Sequence, residues 1–231
     1  MDQRPIAFTK AGALAGAKGV LPPALSSIAF GLAFGALAHD RGISLIETAL
    51  MSALVFAGSA QYPAVLAWTH PPAALPILLT TFAINARHLL FGAALRSWLE
   101  GLGPLKSYGS LFFLTDANWL LAMRERAKGK WDAALLLGGG LAMCAGWTAG
   151  TVLGHVGGGA LGDAERIGVG VAVPAFFVTM LVGAWRGRAD LAPFGFGAVA
   201  AAIASVLLPP GWHVLVGALA GACAGTVLRG R

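Results

Sequence analysis

Three short stretches hold nearly all the groups that could do chemistry within the apolar parts of this chain. They are Phe56-Ala57-Gly58-Ser59-Ala60-Gln61-Tyr62-Pro63, Asn85-Ala86-Arg87-His88 and Thr115-Asp116-Ala117-Asn118. Each falls near the middle of a long apolar run. Polar groups at such depth in hydrocarbon are costly and mark functional sites by default. Arg87 needs a counter-charge, and Asp116 is the acidic residue near the centre of another apolar run. Two readings stay open: a structural ion pair, or a pair that divides the two charges of a zwitterionic ligand. His88 reads as a satisfied polar core residue or as a proton carrier. Thr81, Asn85 and His88 share one helical face, and Arg87 points elsewhere unless the helix is broken there. Gly58-Ser59 followed by Pro63 predicts a helix break, because proline lacks an amide and glycine tolerates unusual dihedrals. Broken membrane helices offer free amides and carbonyls, which transporters turn toward carboxylates and cations. The competing reading is a kinked packing helix with Ser59 bonded to its own backbone.

Other chemistries lack their residues. An intramembrane hydrolase would use Ser59 as nucleophile with His88 as base, but the stretch reads Gly58-Ser59-Ala60 and has no Gly-x-Ser-x-Gly form. No His, Cys or carboxylate cluster has metal-ligand spacing, and no cofactor motif is present, so the chain reads as a non-enzyme without metal or cofactor. Cys144 and Cys223 read as small residues within apolar runs rather than a disulfide framework. His39, His70 and His155 fall near segment ends, where interfacial water would satisfy them.

The elements that must position these groups follow from composition. The 231 residues are 57% hydrophobic and only 11% charged, with a mean hydropathy of +0.75. A soluble domain carries about a quarter of its residues charged, so a soluble enzyme, a nucleic-acid-binding domain and a disordered chain are excluded. The formal charge of +6 comes from basic residues at segment ends, without base-stacking aromatics, so no nucleic-acid partner is expected. The fold class is all-α: a polytopic helical bundle of seven or eight membrane segments. Eight runs near the ~20 residues a span needs cover 19–38, 44–68, 73–95, 106–123, 131–156, 167–185, 191–208 and 212–228. Residues 1–18 read as a cytoplasmic N-terminal segment and 19–231 as one transmembrane domain. The first run reads as an uncleaved span despite Ala36-Leu37-Ala38. If segment two or three is re-entrant, the crossings number seven.

Lysine and arginine set the orientation. The N-terminus, the loop with Arg124, Arg126, Lys128 and Lys130, the loop with Arg186 and Arg188, and the C-terminus hold eleven of them; the alternate loops hold Arg41, Arg96, Lys106 and Arg166. Both termini are therefore expected in the cytoplasm. Trp68, Trp98, Trp131, Trp185 and Trp212 are placed at the headgroup level, and Trp119 and Trp147 in the core. Small residues at four-residue spacing form ribbons: Gly138, Ala142, Gly146, Gly150, Gly154 and Gly158 in segment five, Gly217, Gly221 and Gly225 in segment eight, and Gly31 with Gly35 in segment one. Such ribbons let membrane helices approach closely. One ribbon is expected inside the bundle and the other at a subunit interface. A Gly-xxx-Gly pair followed by a break, at Gly58-Ser59 and again at Pro174-Ala175, suggests a two-half repeat.

Val55-Phe56-Ala57-Gly58-Ser59-Ala60-Gln61, Asn85-Ala86-Arg87-His88 and Leu114-Thr115-Asp116 closely resemble the AzlC family. Gly31-Leu32-Ala33-Phe34-Gly35, Trp147-Thr148-Ala149-Gly150-Thr151 and Pro174-Ala175-Phe176-Phe177 extend the resemblance to all but the first dozen residues. It implies a multi-pass plasma-membrane exporter of branched-chain amino acids (leucine, isoleucine and valine, with methionine a further candidate), the large subunit of a two-component permease. Its partner would be a small hydrophobic subunit of the AzlD type. Gly58, Ser59, Gln61, Asn85 and Arg87 are then the substrate-binding candidates, with Asp116 and His88 the candidates for proton coupling. The family usually follows Thr-Asp with Glu, where this chain has Ala117. The mid-depth charges suit an amino-acid zwitterion. Phe56, Phe82, Phe112 and Leu114 favour a branched side chain over the alternative, a proton or small-ion channel.

Overall fold

The computed structural model describes residues 6–68, 74–161, 178, 182, 185, 187–208 and 212–229. Segment six, the Pro174-Ala175 break and the Pro71-Pro72 and Pro209-Pro210-Gly211 turns lie outside these. The described residues are helical, in the order α1 (Lys10–Gly19), α2 (Leu21–Asp40), α3 (Leu45–Leu50) with a π-helical turn (Met51–Val55), α4 (Gly58–Leu66), α5 (Ala74–Asn85) and α6 (Arg87–Leu99). Then follow α7 (Pro104–Phe112), α8 (Asp116–Ala127), α9 (Ala134–Leu161), α10 (Leu191–Leu207) and α11 (Trp212–Arg229). Among them, Leu21–Asp40, Ile77–Leu99, Ala134–Gly158 and Arg188–Leu207 are long and apolar enough to cross a membrane.

Two compact units share the chain. One comprises Met1–Phe56 and Arg87–Asp163; the other comprises Ala57–Ala86 and Ala164–Arg231. Each draws on two separate stretches, so no linker in the sequence marks the division.

The first unit is organised by its glycines. α1 and α2 run alongside α9 in the same direction. A Cβ added at Gly138 would overlap the Ala13 carbonyl, one at Gly150 the Ile28 carbonyl, and one at Gly154 the Leu32 carbonyl. The approach is reciprocal, since Gly16 faces Leu135 and Gly35 faces Thr151 and His155. Backbone-to-backbone contact of this kind is possible only where no side chain intervenes, and dispersion over such a seam holds membrane helices together. Phe34 stacks on Trp147, with ring centroids 5.6 Å apart. The start of the seam is pinned by Asp132, whose carboxylate accepts from the Thr9 amide and hydroxyl and from the Ala134 amide.

Segment four does not cross. α6 and α8 run side by side in the same direction: Arg87 meets Asp116, Phe91 stacks on Trp119 at 4.6 Å, and Arg126 reaches the Ala94 carbonyl. α7 must therefore return between them, and Leu111 accordingly lies beside Gly92. Lys106, at the start of α7, sits over the Phe8 ring, and Arg126, at the end of α8, sits over Trp131. Phe8 and Trp131 flank one strand-like bridge between Ala7 and Asp132, so the chain enters and leaves at the same end of α9. With nine residues in α7 and twelve in α8, neither reaches the ~30 Å of a hydrocarbon core at 1.5 Å per residue. Segment four is a re-entrant hairpin, and Arg96 and Lys106 lie on the N-terminal side rather than opposite it.

Three further expectations are corrected. Trp98 is fully buried in a core with Leu95, Leu114, Ala122 and Leu136, so it presents no ring to the headgroups. His155 is buried, its Nε2 bonded to the Ile43 carbonyl at 2.8 Å, and needs no interfacial water. In the second unit the α11 ribbon packs against α10: Gly217 faces Ala201, and Gly221 faces Pro193 and Gly197. Both ribbons are thus internal.

Candidate functional site

The helix break in segment two falls just ahead of its expected position. α3 ends in the π-helical turn, Phe56 takes a left-handed conformation (φ 43°, ψ 47°), and Gly58 begins α4 with Pro63 inside it. Phe56 is the one non-glycine residue with positive φ among those described. The conformation costs an L-residue roughly 1–2 kcal/mol, and π turns and strained residues gather at functional sites. Pro63 is tolerated because its missing amide forfeits a single bond one turn inside the helix.

Segment three is interrupted just before Arg87, the condition under which its side chain leaves the face it would otherwise take: α5 ends at Asn85 and α6 starts at Arg87, with Ala86 between. Segment four is interrupted at 113–115. In the first unit these interruptions come together. The Phe56 and Phe113 rings lie 6.3 Å apart, and Arg87 Nη2 is 3.2 Å from Asp116 Oδ2. The predicted charge pair therefore exists. Its side chains are 31% and 48% exposed, so the pair is not sealed in the core. Asp116 is the first residue of α8, where the partial positive charge of a helix N-terminus favours an anion. Arg87 opens α6, where that same field disfavours a cation and makes the carboxylate opposite it more necessary.

Asn118, which sequence reasoning had passed over as part of a polar stretch, is what fixes this apex. It is fully buried. Its Oδ1 accepts from the Thr115 amide at 2.7 Å and from the Thr115 hydroxyl. Its Nδ2 donates to the Phe113 and Leu136 carbonyls, both at 2.9 Å. Thr115 caps α8 reciprocally. Gly140 leaves the room, since a Cβ there would overlap the Phe113 carbonyl. The signal was present as a Thr-x-x-Asn capping pattern in the middle of an apparent span. The apex abuts Gly139 and Gly140, roughly 9 Å along the 28-residue α9 at 1.5 Å per residue.

The remaining candidates belong to the second unit. Ser59 and Gln61 are buried on α4. Gln61 Oε1 accepts the Ala57 amide at 3.2 Å and so closes the N-terminus of α4. Gly58 is the first residue of that helix and Asn85 the last of α5. His88, on α6 in the first unit, stands edge-on to Phe91 at 5.6 Å. Of the apolar candidates, Leu114 is buried in the core and Phe82 and Phe112 are exposed; Phe56 remains, joined by Phe113. Among the described residues, no three His, Cys, Asp or Glu side chains are grouped to hold a metal.

These features define an integral membrane protein of interrupted helices, with a partly exposed ion pair in its first unit. Residues 22–161 match the AzlC protein family, and the chain belongs to that family. It is similar to the inner membrane protein YgaZ of Escherichia coli, 28% identical over 182 residues that cover 76% of this chain and 74% of that one. An uncharacterized membrane protein of Archaeoglobus fulgidus is 28% identical over 90% of both chains. The branched-chain amino acid transport protein AzlC of Bacillus subtilis is 33% identical over 92 residues, 38% of this chain and 35% of that one. No solved structure gives a significant match.

Proposed function

We propose that this protein exports branched-chain amino acids, as the large subunit of a permease completed by a small hydrophobic AzlD-type subunit. The observation that carries the reading is the Arg87–Asp116 ion pair, accessible at the apex of a re-entrant hairpin. A zwitterion can divide such a pair, its carboxylate taking Arg87 and its ammonium taking Asp116, without leaving either charge unpaired. The name of the Bacillus subtilis relative supplies the substrate class. Gly58, Ser59, Gln61 and Asn85 are assigned to substrate binding because they stand in the motifs that resemble the AzlC family.

Protons are the proposed driving ion. Asp116 is the proposed coupling carboxylate, paired by Arg87 before substrate binds and by the substrate ammonium afterwards, with proton exchange confined to the interval in which neither pairs it. His88, adjacent in sequence to Arg87, is the second candidate. For orientation, Lys10, Arg96, Lys106, Arg124, Arg126, Lys128 and Lys130 belong to the N-terminal end of the first unit, with Arg41 at the other end. By the positive-inside rule that basic end is cytoplasmic; the C-terminus, with Arg229 and Arg231, is assigned to the same side.

Counterflow in proteoliposomes tests the function. Vesicles preloaded with leucine, isoleucine, valine or methionine should accumulate labelled leucine when both subunits are present. No accumulation with any of the four would refute the assignment.

A further inference from the structure

We infer that Phe56 and Phe113 form the subsite that receives the aliphatic side chain of the substrate. The inference rests on the transport reading above and deepens it. Both rings are half-buried and belong to the first unit, 6.3 Å apart and tilted by 59°. Tilted in this way, the two rings make an apolar wedge rather than a face-to-face stack, and part of each remains exposed. Phe113 lies three residues before Asp116, and the turn between them is locked by Asn118. The wedge is therefore fixed relative to the charge pair that would hold the α-amino and α-carboxyl groups. Phe113 is braced from behind by Phe112, edge-on at 4.9 Å. Phe56 is held by its backbone: the left-handed residue after the π turn aims the ring at Phe113. Glycine would adopt that conformation freely, and its absence at 56 points to a need for the ring.

The chemical class follows from the side chains. Two adjoining aromatic rings offer apolar surface and no hydrogen-bonding group of their own, which suits a branched aliphatic group and gives little to a methyl side chain. Each methylene in an apolar pocket is worth roughly 10-fold or more in discrimination.

The experiment compares leucine and alanine counterflow in proteoliposomes holding both subunits. Phe113→Ala should lower the leucine rate relative to alanine by about tenfold or more, and Phe113→Trp, which crowds the wedge, should favour alanine. At position 56 two variants separate ring from backbone. Phe56→Ala loses the ring and keeps the strain, while Phe56→Gly loses the ring and relieves it. Both should lose the leucine preference equally. A Phe56→Gly protein that keeps wild-type selectivity overturns the subsite, as does an equal fall for both substrates in the Phe113 variants. A wild-type protein that moves neither amino acid overturns the transport reading itself.

Discussion

Replacing Asn118 by leucine, which has nearly its shape and none of its hydrogen bonds, tests whether the apex of the re-entrant hairpin depends on one side chain. The wild-type amide uses both its oxygen and its nitrogen: two bonds to Thr115 and one each to the Phe113 and Leu136 carbonyls. The Thr115 hydroxyl can turn to another acceptor, and the Leu136 carbonyl sits inside α9, where the helix provides its own partner. The Thr115 amide and the Phe113 carbonyl are then the groups left stranded. Each stranded buried group costs about 1–3 kcal/mol, so Asn118→Leu should destabilise the protein by roughly 2–6 kcal/mol. For a chain of this size, 1 kcal/mol moves Tm by roughly 2–4 °C, so thermal unfolding in detergent should shift down by about 4 °C at least. Asn118→Asp keeps the acceptor but points a carboxylate oxygen at two carbonyls, and should be no better. Counterflow should fall with stability in both, because Asp116 is no longer held against Arg87. An Asn118→Leu protein that melts within about 2 °C of wild type would show that the hairpin holds its shape without this network.

Four other outcomes follow. Gly154→Ala, whose Cβ would overlap the Leu32 carbonyl, should cost about 1–3 kcal/mol by overpacking, while Gly109→Ala, with nothing within 4 Å, should leave the melting temperature unchanged or raise it. Lys128 and Lys130 hold Glu125 down to about 2, from an ordinary 4.5; its stabilising effect is full above pH 4.5 and fades as pH falls toward 2, so acid unfolding of Glu125→Gln should be less steep over that window. Asp116→Asn should weaken substrate exchange, through the lost ammonium partner, and abolish the response to an imposed pH gradient; full proton-driven transport would pass the coupling role to His88. A cysteine at position 101, on the same side as Phe8 and Lys106, should be labelled by impermeant reagents only from the cytoplasm, whereas an alternating eight-span arrangement would expose it outside.

The amino-acid sequence alone determined the solvent, the secondary structure and the charged pair. A chain with so few charges can satisfy its backbone in hydrocarbon only by helices. An arginine in an apolar run must find a carboxylate, and Asp116 was the available one. The glycine ribbons likewise announced close helix contact, since small residues at four-residue spacing occupy one face whatever lies opposite. Direction and partner were another matter. Hydropathy measures the length of an apolar run, and α7 and α8 together imitate one crossing; only the pairing of α6 with α8 and the shared neighbourhood of Lys106 and Arg126 show the chain turning back. The α11 ribbon could not say whether it faced α10 or another subunit, because a helical face is the same to either. Phe56 carries no local mark of its left-handed backbone, which is imposed by the π turn before it and the ring of Phe113 beyond. Asn118 was half legible: its bonds to Thr115 and Phe113 lie within one turn of chain, while its burial and its bond to the Leu136 carbonyl come only from the packing of the hairpin on α9.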